Sequence, residues 1–194
     1  PDDSLGPERS NVNRAQTQID GRSADLIDGG ASRGESLFHS FREFNVSNQQ
    51  QLYFSPDSDI STIFTRVTGE NASRILGTLG VLGDADLFLI NSNGIFFGPN
   101  AQLALSGSFL ASSADGIVFS DAFTFGATTP TAPPDALLTI QPSALIFNRL
   151  PSAGAIESQA VLEVAVGERL QMVGGNIFVT GDAAGQRANL IASD

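Results

Sequence analysis

Apolar residues in this chain come in short clusters rather than in helical stripes. No stretch of a dozen or more residues sets them at i, i+3, i+4 and i+7, the spacing that turns one face of a helix toward a core. The clusters are Ile75-Leu76, Leu87 to Ile90, Ile95 to Phe97, Leu103 to Leu105, Phe109-Leu110 and Ile117 to Phe119, followed by Leu137 to Ile140, Leu145 to Phe147, Val161 to Val166, Leu170 to Val173, Ile177 to Val179 and Leu190-Ile191. Gly, Asn, Ser and Asp separate them. Ile95 is followed by Leu103, Leu137 by Leu145 and Leu162 by Leu170, each eight residues on. Short strands at that spacing, with turn residues between them, predict an all-β protein.

Two architectures share this pattern. An antiparallel sandwich or barrel spaces its strands every eight to twelve residues or so. A parallel β-helix coils three short strands into each rung, with narrow turns between them. Clusters of three or four residues favour the β-helix, because sandwich strands usually run to about five or more with clean alternation. The corners agree: Asn91, Asn93 and Gly94 sit between two apolar clusters, and Asn and Gly accept the left-handed backbone of a sharp bend. The 14 Phe residues fit columns of like side chains in a stacked interior.

The pattern is uneven along the chain. Residues 1–35 are polar and Gly-rich, with Ile19, Leu26 and Ile27 as isolated apolar points. A cap of short strands over the open end of a solenoid would read this way. Residues 126–136 carry Pro130, Pro133 and Pro134, which lack the amide donor a sheet needs. They predict an excursion from the helical path near 121–136, and a second is expected near 148–160. Residues 36–194 then form the β-helix core of a single domain. The strand-like ending at Asn189-Leu190-Ile191 leads us to expect a fragment of something longer.

Composition narrows the chemistry. The 194 residues hold 21 Asp plus Glu against 10 Lys plus Arg, for a formal net charge of −11. All the cations are Arg, and Lys, Cys and Trp are absent. A cationic patch for nucleic acid is excluded by that balance. Cysteine-ligated metals, disulfides, thiol nucleophiles and lysine chemistry are excluded outright. No apolar run approaches the roughly 20 residues of a membrane span, so no stable membrane insertion is expected. Asp84 and Asp86 after Gly83 do not have the spacing of a calcium loop. Gly174-Gly175 reads as a turn, since no GxGxxG carries a strand into a helix. His39, between Phe38 and Phe41, reads as packed structure. Arg66 and Arg74 are expected to meet carboxylates or carbonyls rather than a ligand. No catalytic residue, metal or cofactor is expected.

At Asp86-Leu87-Phe88-Leu89-Ile90-Asn91-Ser92-Asn93-Gly94-Ile95-Phe96-Phe97-Gly98-Pro99-Asn100-Ala101 the pattern resembles the two-partner secretion (TPS) domain of filamentous haemagglutinin-like TpsA exoproteins, also described as a haemagglutination activity domain. That family carries Asn-Pro-Asn-Gly-Ile after an apolar strand. The likeness extends through Ser36 to Phe41 with Phe44 to Val46, Thr65 to Gly69, Ser73 to Leu79, Gly107 to Ser112, Leu145 to Asn148 and Leu170 to Ile177. It looks most like the cyanobacterial branch. Ser92 stands where the family usually has Pro, and the family's Asn-Pro-Asn-Leu motif is missing. Ser can hold the same turn position at some entropic cost, so the turn is expected to persist.

The resemblance implies a right-handed, three-sided parallel β-helix with an N-terminal β cap and extra-helical strands. It implies an N-terminal secretion domain, recognised unfolded by the POTRA domains of an outer-membrane TpsB transporter after crossing the periplasm of a Gram-negative bacterium. The domain would then fold at the cell surface as a monomer and nucleate the β-helix behind it. Asn91, Ser92, Asn93, Gly94 and Ile95 are the candidate recognition and turn motif. Phe38, Phe41, Arg66, Gly69, Ser73 and Gly77 are its structural support. Read locally, the motif is a tight turn whose Asn side chains satisfy backbone groups, and the two roles are compatible. The rivals are a polysaccharide-active β-helix enzyme, which needs clustered carboxylates on one face, and an adhesive binding module.

Overall fold

The computed structural model describes residues 1–120, 123–135, 142–148, 154–181 and 189–191. The chain enters through a single 3-10 turn, Gly6–Glu8, and then a hairpin of β1 (Ser10–Ile19) and β2 (Arg22–Gly29). The hairpin turns at Asp20-Gly21, both at positive φ (50° and 73°), the two-residue geometry whose twist suits antiparallel strands. β3 (Ala31–Arg33) folds back antiparallel on β4 (Ser36–Phe41).

From β4 the chain coils. β5 (Gln51–Phe54), β6 (Thr62–Val67), β7 (Ser73–Ile75), β8 (Thr78–Val81), β9 (Asp86–Ile90), β10 (Ile95–Phe97), β11 (Gln102–Ala104) and β12 (Phe109–Ser112) follow one another. The path then leaves the coil for β13 (Gly116–Ser120), β14 (Phe123–Gly126) and β15 (Ala144–Ile146). It resumes with β16 (Ile156–Ser158), β17 (Val161–Glu163), β18 (Leu170–Val173), β19 (Ile177–Val179) and β20 (Asn189–Ile191). The apolar cluster Leu137 to Ile140 lies outside the described residues. So do 121–122 and 136 of the excursion near 121–136, and 149–153 of the one near 148–160.

Three faces result. The first holds β2, β5, β8 and β11, with β1 antiparallel at its end; the second holds β4, β6, β9, β12 and β18, with β3 at its end; the third holds β7, β10, β16 and β19. Ser36 lies against Thr62, Thr62 against Asp86 and Leu87 against Phe109, all in parallel register. One rung therefore takes 26 residues at first (36 to 62) and 22 later (87 to 109). Three strands at the eight-residue spacing of the sequence make such a rung. The protein is an all-β parallel solenoid, and the described residues hold no α-helix.

Successive side chains of a strand point to opposite faces, and on the second face both sides are covered. Inward, Leu37, Ile63, Leu87 and Phe109 stack in one column of the main core. Outward, Phe38, Phe64 and Phe88 make another, with ring centroids 5.2 Å and 5.0 Å apart. The antiparallel sheet of β13 to β15 lies over this outer column and packs Ile117, Phe119, Phe123 and Phe125 against it. Leu5 and Ala31 complete the same cluster. β4 and β6 are consequently buried at consecutive positions instead of alternate ones. Among the described residues, Ile177, Phe178 and Val179 of β19 are exposed. Among the described residues no helix is long and apolar enough to cross a membrane.

Candidate functional site

Between β9 and β10 four residues make the corner that joins the second face to the third. The Gly94 amide donates to the Asn91 carbonyl at 2.9 Å, which closes a four-residue turn. Gly94 has φ +107°, and a Cβ there would meet the Ala155 carbonyl oxygen at 2.5 Å. Glycine is required on both counts. Ser92 occupies the second turn position, where Pro would pre-set φ, and the turn closes with Ser in place.

The asparagine side chains tie this corner to the preceding rung. Asn91 Oδ1 accepts from the Asn93 amide at 3.0 Å. Asn91 Nδ2 donates to the Asn71 carbonyl and to Ser73 Oγ, both at 3.0 Å. Asn93 Nδ2 donates to the Gly69 carbonyl at 2.7 Å. On the opposite side, the Gly154 amide donates to the Ser92 carbonyl at 2.8 Å, and the Ile95 amide to Ala155 at 3.0 Å. Corners 69–73, 91–94 and 154–155 are thus stacked, each meeting polar groups of the next. A turn leaves carbonyls outside the sheet ladders, and burying one unpaired costs about 1–3 kcal/mol. Asn91 is fully buried and Ser92 is 3% exposed, while Asn93 is half-buried; both side-chain amides are taken up by hydrogen bonds to the preceding rung.

The supporting residues divide. Gly69 and Ser73 belong to this corner, and a Cβ on Gly69 would run into the Arg42 carbonyl. Gly77 lies at the next corner, where a Cβ would meet the carbonyls of Ser47 and Gln50 at 2.4 Å. Phe41 points into the main core, while Phe38 belongs to the outer aromatic column. Arg66 is on that outer side and fully buried. Its Nε donates to Ser40 Oγ at 2.9 Å, and its two terminal nitrogens donate to the Thr131 carbonyl and to Ser4 Oγ, each at 2.8 Å. Its guanidinium lies 4.2 Å from the Phe125 ring centroid. Burial lowers its pKa to about 10, and the charge of Asp2 works against that shift. Arg66 does meet hydroxyls and a carbonyl, and Arg74 lies over the Phe96 ring at 4.8 Å.

Sequence reasoning passed over the other parts of this clamp. Asp2 accepts from Ser4, Ser40 and Thr68; burial opposes its charge, and those bonds outweigh burial and hold its carboxyl below the usual value. Arg33 grips Glu8 through two bonds of 2.9 and 2.8 Å and reaches the Pro133 carbonyl at 2.8 Å. Its hydrogen bonds hold the Glu8 carboxyl down as well. The only local sign of Arg66 was a cation among apolar strand residues, Ile63 to Val67; Arg33 gave none.

His39 is enclosed in the coil. Its Nδ1 lies 2.9 Å from Ser10 Oγ, Nε2 has no hydrogen-bond partner among the described residues, and the Phe54 ring is 5.1 Å away. Burial pushes its pKa down to about 3, so the ring is neutral and structural. Asp86 Oδ1 accepts from the Ser108 amide at 2.7 Å. Among the described residues no three His, Cys, Asp or Glu side chains are grouped to hold a metal ion. What the corner can do chemically is form hydrogen bonds and turn the chain.

A family model described as the TPS secretion domain matches residues 4–193. No curated protein and no solved structure matches the chain.

Proposed function

The chain belongs to the TPS secretion-domain family, and on that premise we propose that it is exported as an unfolded chain. The family is one of secreted, non-enzymatic exoprotein domains that work with a TpsB-type partner transporter. In this reading the transporter's POTRA domains take up the segment around Asn91 to Ile95 in the periplasm of a Gram-negative cell. The apolar strands 87–90 and 95–97, when extended, add to an exposed sheet edge by β-augmentation. The domain then folds outside as a monomer, and each new rung pairs with the last open edge. Phe38, Phe41, Arg66, Gly69, Ser73 and Gly77 act in that folding step rather than in recognition.

One observation supports the reading best: the folded corner buries Asn91, Ser92, Gly94 and Ile95 and uses both asparagine amides on neighbouring rungs. A partner that reads these groups must do so before folding, and folding then withdraws them from it. Calorimetry of the partner's POTRA domains against unfolded and folded chain tests this. Binding to the unfolded chain alone is expected, and equal binding to both contradicts the proposal. Replacing Asn91 and Asn93 with Ala is expected to abolish both export and POTRA binding of the unfolded chain. Loss of export with binding intact would assign the corner to folding alone.

A further inference from the structure

The corner also holds a labile bond. Asn93-Gly94 is the sole Asn-Gly dipeptide in the sequence. In a flexible chain the nitrogen of a following glycine is unhindered and attacks the asparagine side-chain carbonyl. An N–Cγ bond forms, the Cγ–Nδ2 bond breaks and ammonia leaves. Water then opens the cyclic imide at either carbonyl, leaving aspartate or isoaspartate. Water is the only co-reactant.

The fold blocks the first step. The Gly94 nitrogen is engaged with the Asn91 carbonyl at 2.9 Å. The Asn93 amide is drawn along the coil axis to the Gly69 carbonyl at 2.7 Å, and its backbone N–H is held by Asn91 Oδ1. The products do not fit the corner either. Nδ2 of Asn93 now faces two acceptors, the Gly69 carbonyl and Asn91 Oδ1, so a carboxylate would set oxygen against oxygen. Isoaspartate lengthens the main chain by a methylene at a corner where not even a Cβ has room: one on Gly154 would run into the Asn93 backbone, and one on Gly94 into the Ala155 carbonyl.

We infer that Asn93 is a spontaneous deamidation site, open only while the chain is unfolded, and that reaction there removes the chain from the folding-competent pool. The site acts as a timer on the unfolded state. It stands on the chain's own chemistry, whether or not a transporter reads the same residues.

The test ages the purified chain at mildly alkaline pH, in denaturant and in native buffer, with peptide mapping and isoaspartyl methyltransferase labelling as readouts. In denaturant the Asn93 peptide is expected to convert to its aspartate and isoaspartate forms. In native buffer the conversion is expected to slow by at least about a hundredfold, because only opened molecules react. Only the unmodified fraction of the aged chain is expected to refold. N93D tests the product itself: it should refold poorly near neutral pH and recover, relative to the parent at each pH, once acid protonates the new carboxyl and lets it donate to Gly69. Equal conversion in the two buffers, or N93D refolding at neutral pH as well as the parent, would overturn the inference.

Discussion

The two sides of the second face close in different ways. The inner column of Leu37, Ile63, Leu87 and Phe109 is completed by neighbouring rungs, each 22 to 26 residues away in the chain. The outer column of Phe38, Phe64 and Phe88 waits for Phe119, Phe123 and Phe125, and for Arg66 to reach Thr131, 65 residues on. On the proposed export route, rung-by-rung growth would build the inner column first and leave the outer aromatic stripe uncovered until the excursion is present. The outer column is closed by contacts more distant in sequence than those of the inner one.

The sharpest way to break that comparison is truncation. A chain ending at Ser112 keeps the inner columns of the first rungs but loses the outer cover and the partners of Arg66 beyond it. It is expected to show no cooperative urea transition and to bind a hydrophobic dye strongly. A cooperative transition would mean that the outer layer is dispensable.

Phe125→Ala probes the same layer in the full chain and should lower stability by about 3–5 kcal/mol, against about 2–5 kcal/mol for Leu87→Ala inside. Both layers share β4, β6 and β9, so hydrogen exchange of β6 and β9 amides should rise in step with the global loss for either variant. Exchange confined to β13 to β15 in Phe125→Ala would show two separable layers.

Acid acts on the inner side. His39 is neutral when folded, with a pKa near 3 against an ordinary value of 6.5. Its contribution is present above about pH 6.5 and is lost as pH falls, because the unfolded chain then binds a proton that the folded one refuses. Stability should drop by about 1.4 kcal/mol per pH unit below that point. Asp2, with a lowered carboxyl pKa, adds to the loss only in the carboxylate range. Urea titrations from pH 7 to 4 should show the slope, and a His39→Phe chain should lack it above pH 5.

The smallest change concerns the corner. Ser92→Pro keeps the turn and restricts the unfolded chain, and should raise stability by about 0.4–1 kcal/mol. A measured loss would mean that the Ser92 backbone departs from the φ that Pro imposes.

How much of this could be read from the sequence depended on how local the cause was. The corner was legible, since Asn91 to Gly94 carries its own turn chemistry and Gly94 sits where only glycine fits. The eight-residue spacing carried the three faces. The double burial of the second face was not legible. Leu37-Phe38, Ile63-Phe64 and Leu87-Phe88 pair an inward with an outward apolar residue, which erases the alternation that marks a half-buried strand. The arginine clamps were hidden for a related reason. Their acceptors include main-chain carbonyls 65 and 100 residues away, and a carbonyl has no residue type to recognise.

The direction of the bonds gives the domain a mechanical character. Ladder bonds such as those between β6 and β9, and the reach of Asn93 to Gly69, all run along the coil axis. Tension on the chain therefore peels one rung at a time at modest force, rather than shearing a whole sheet at once. Arg66 is riveted to residues 4, 40 and 131, and peeling stalls there until the rivet fails.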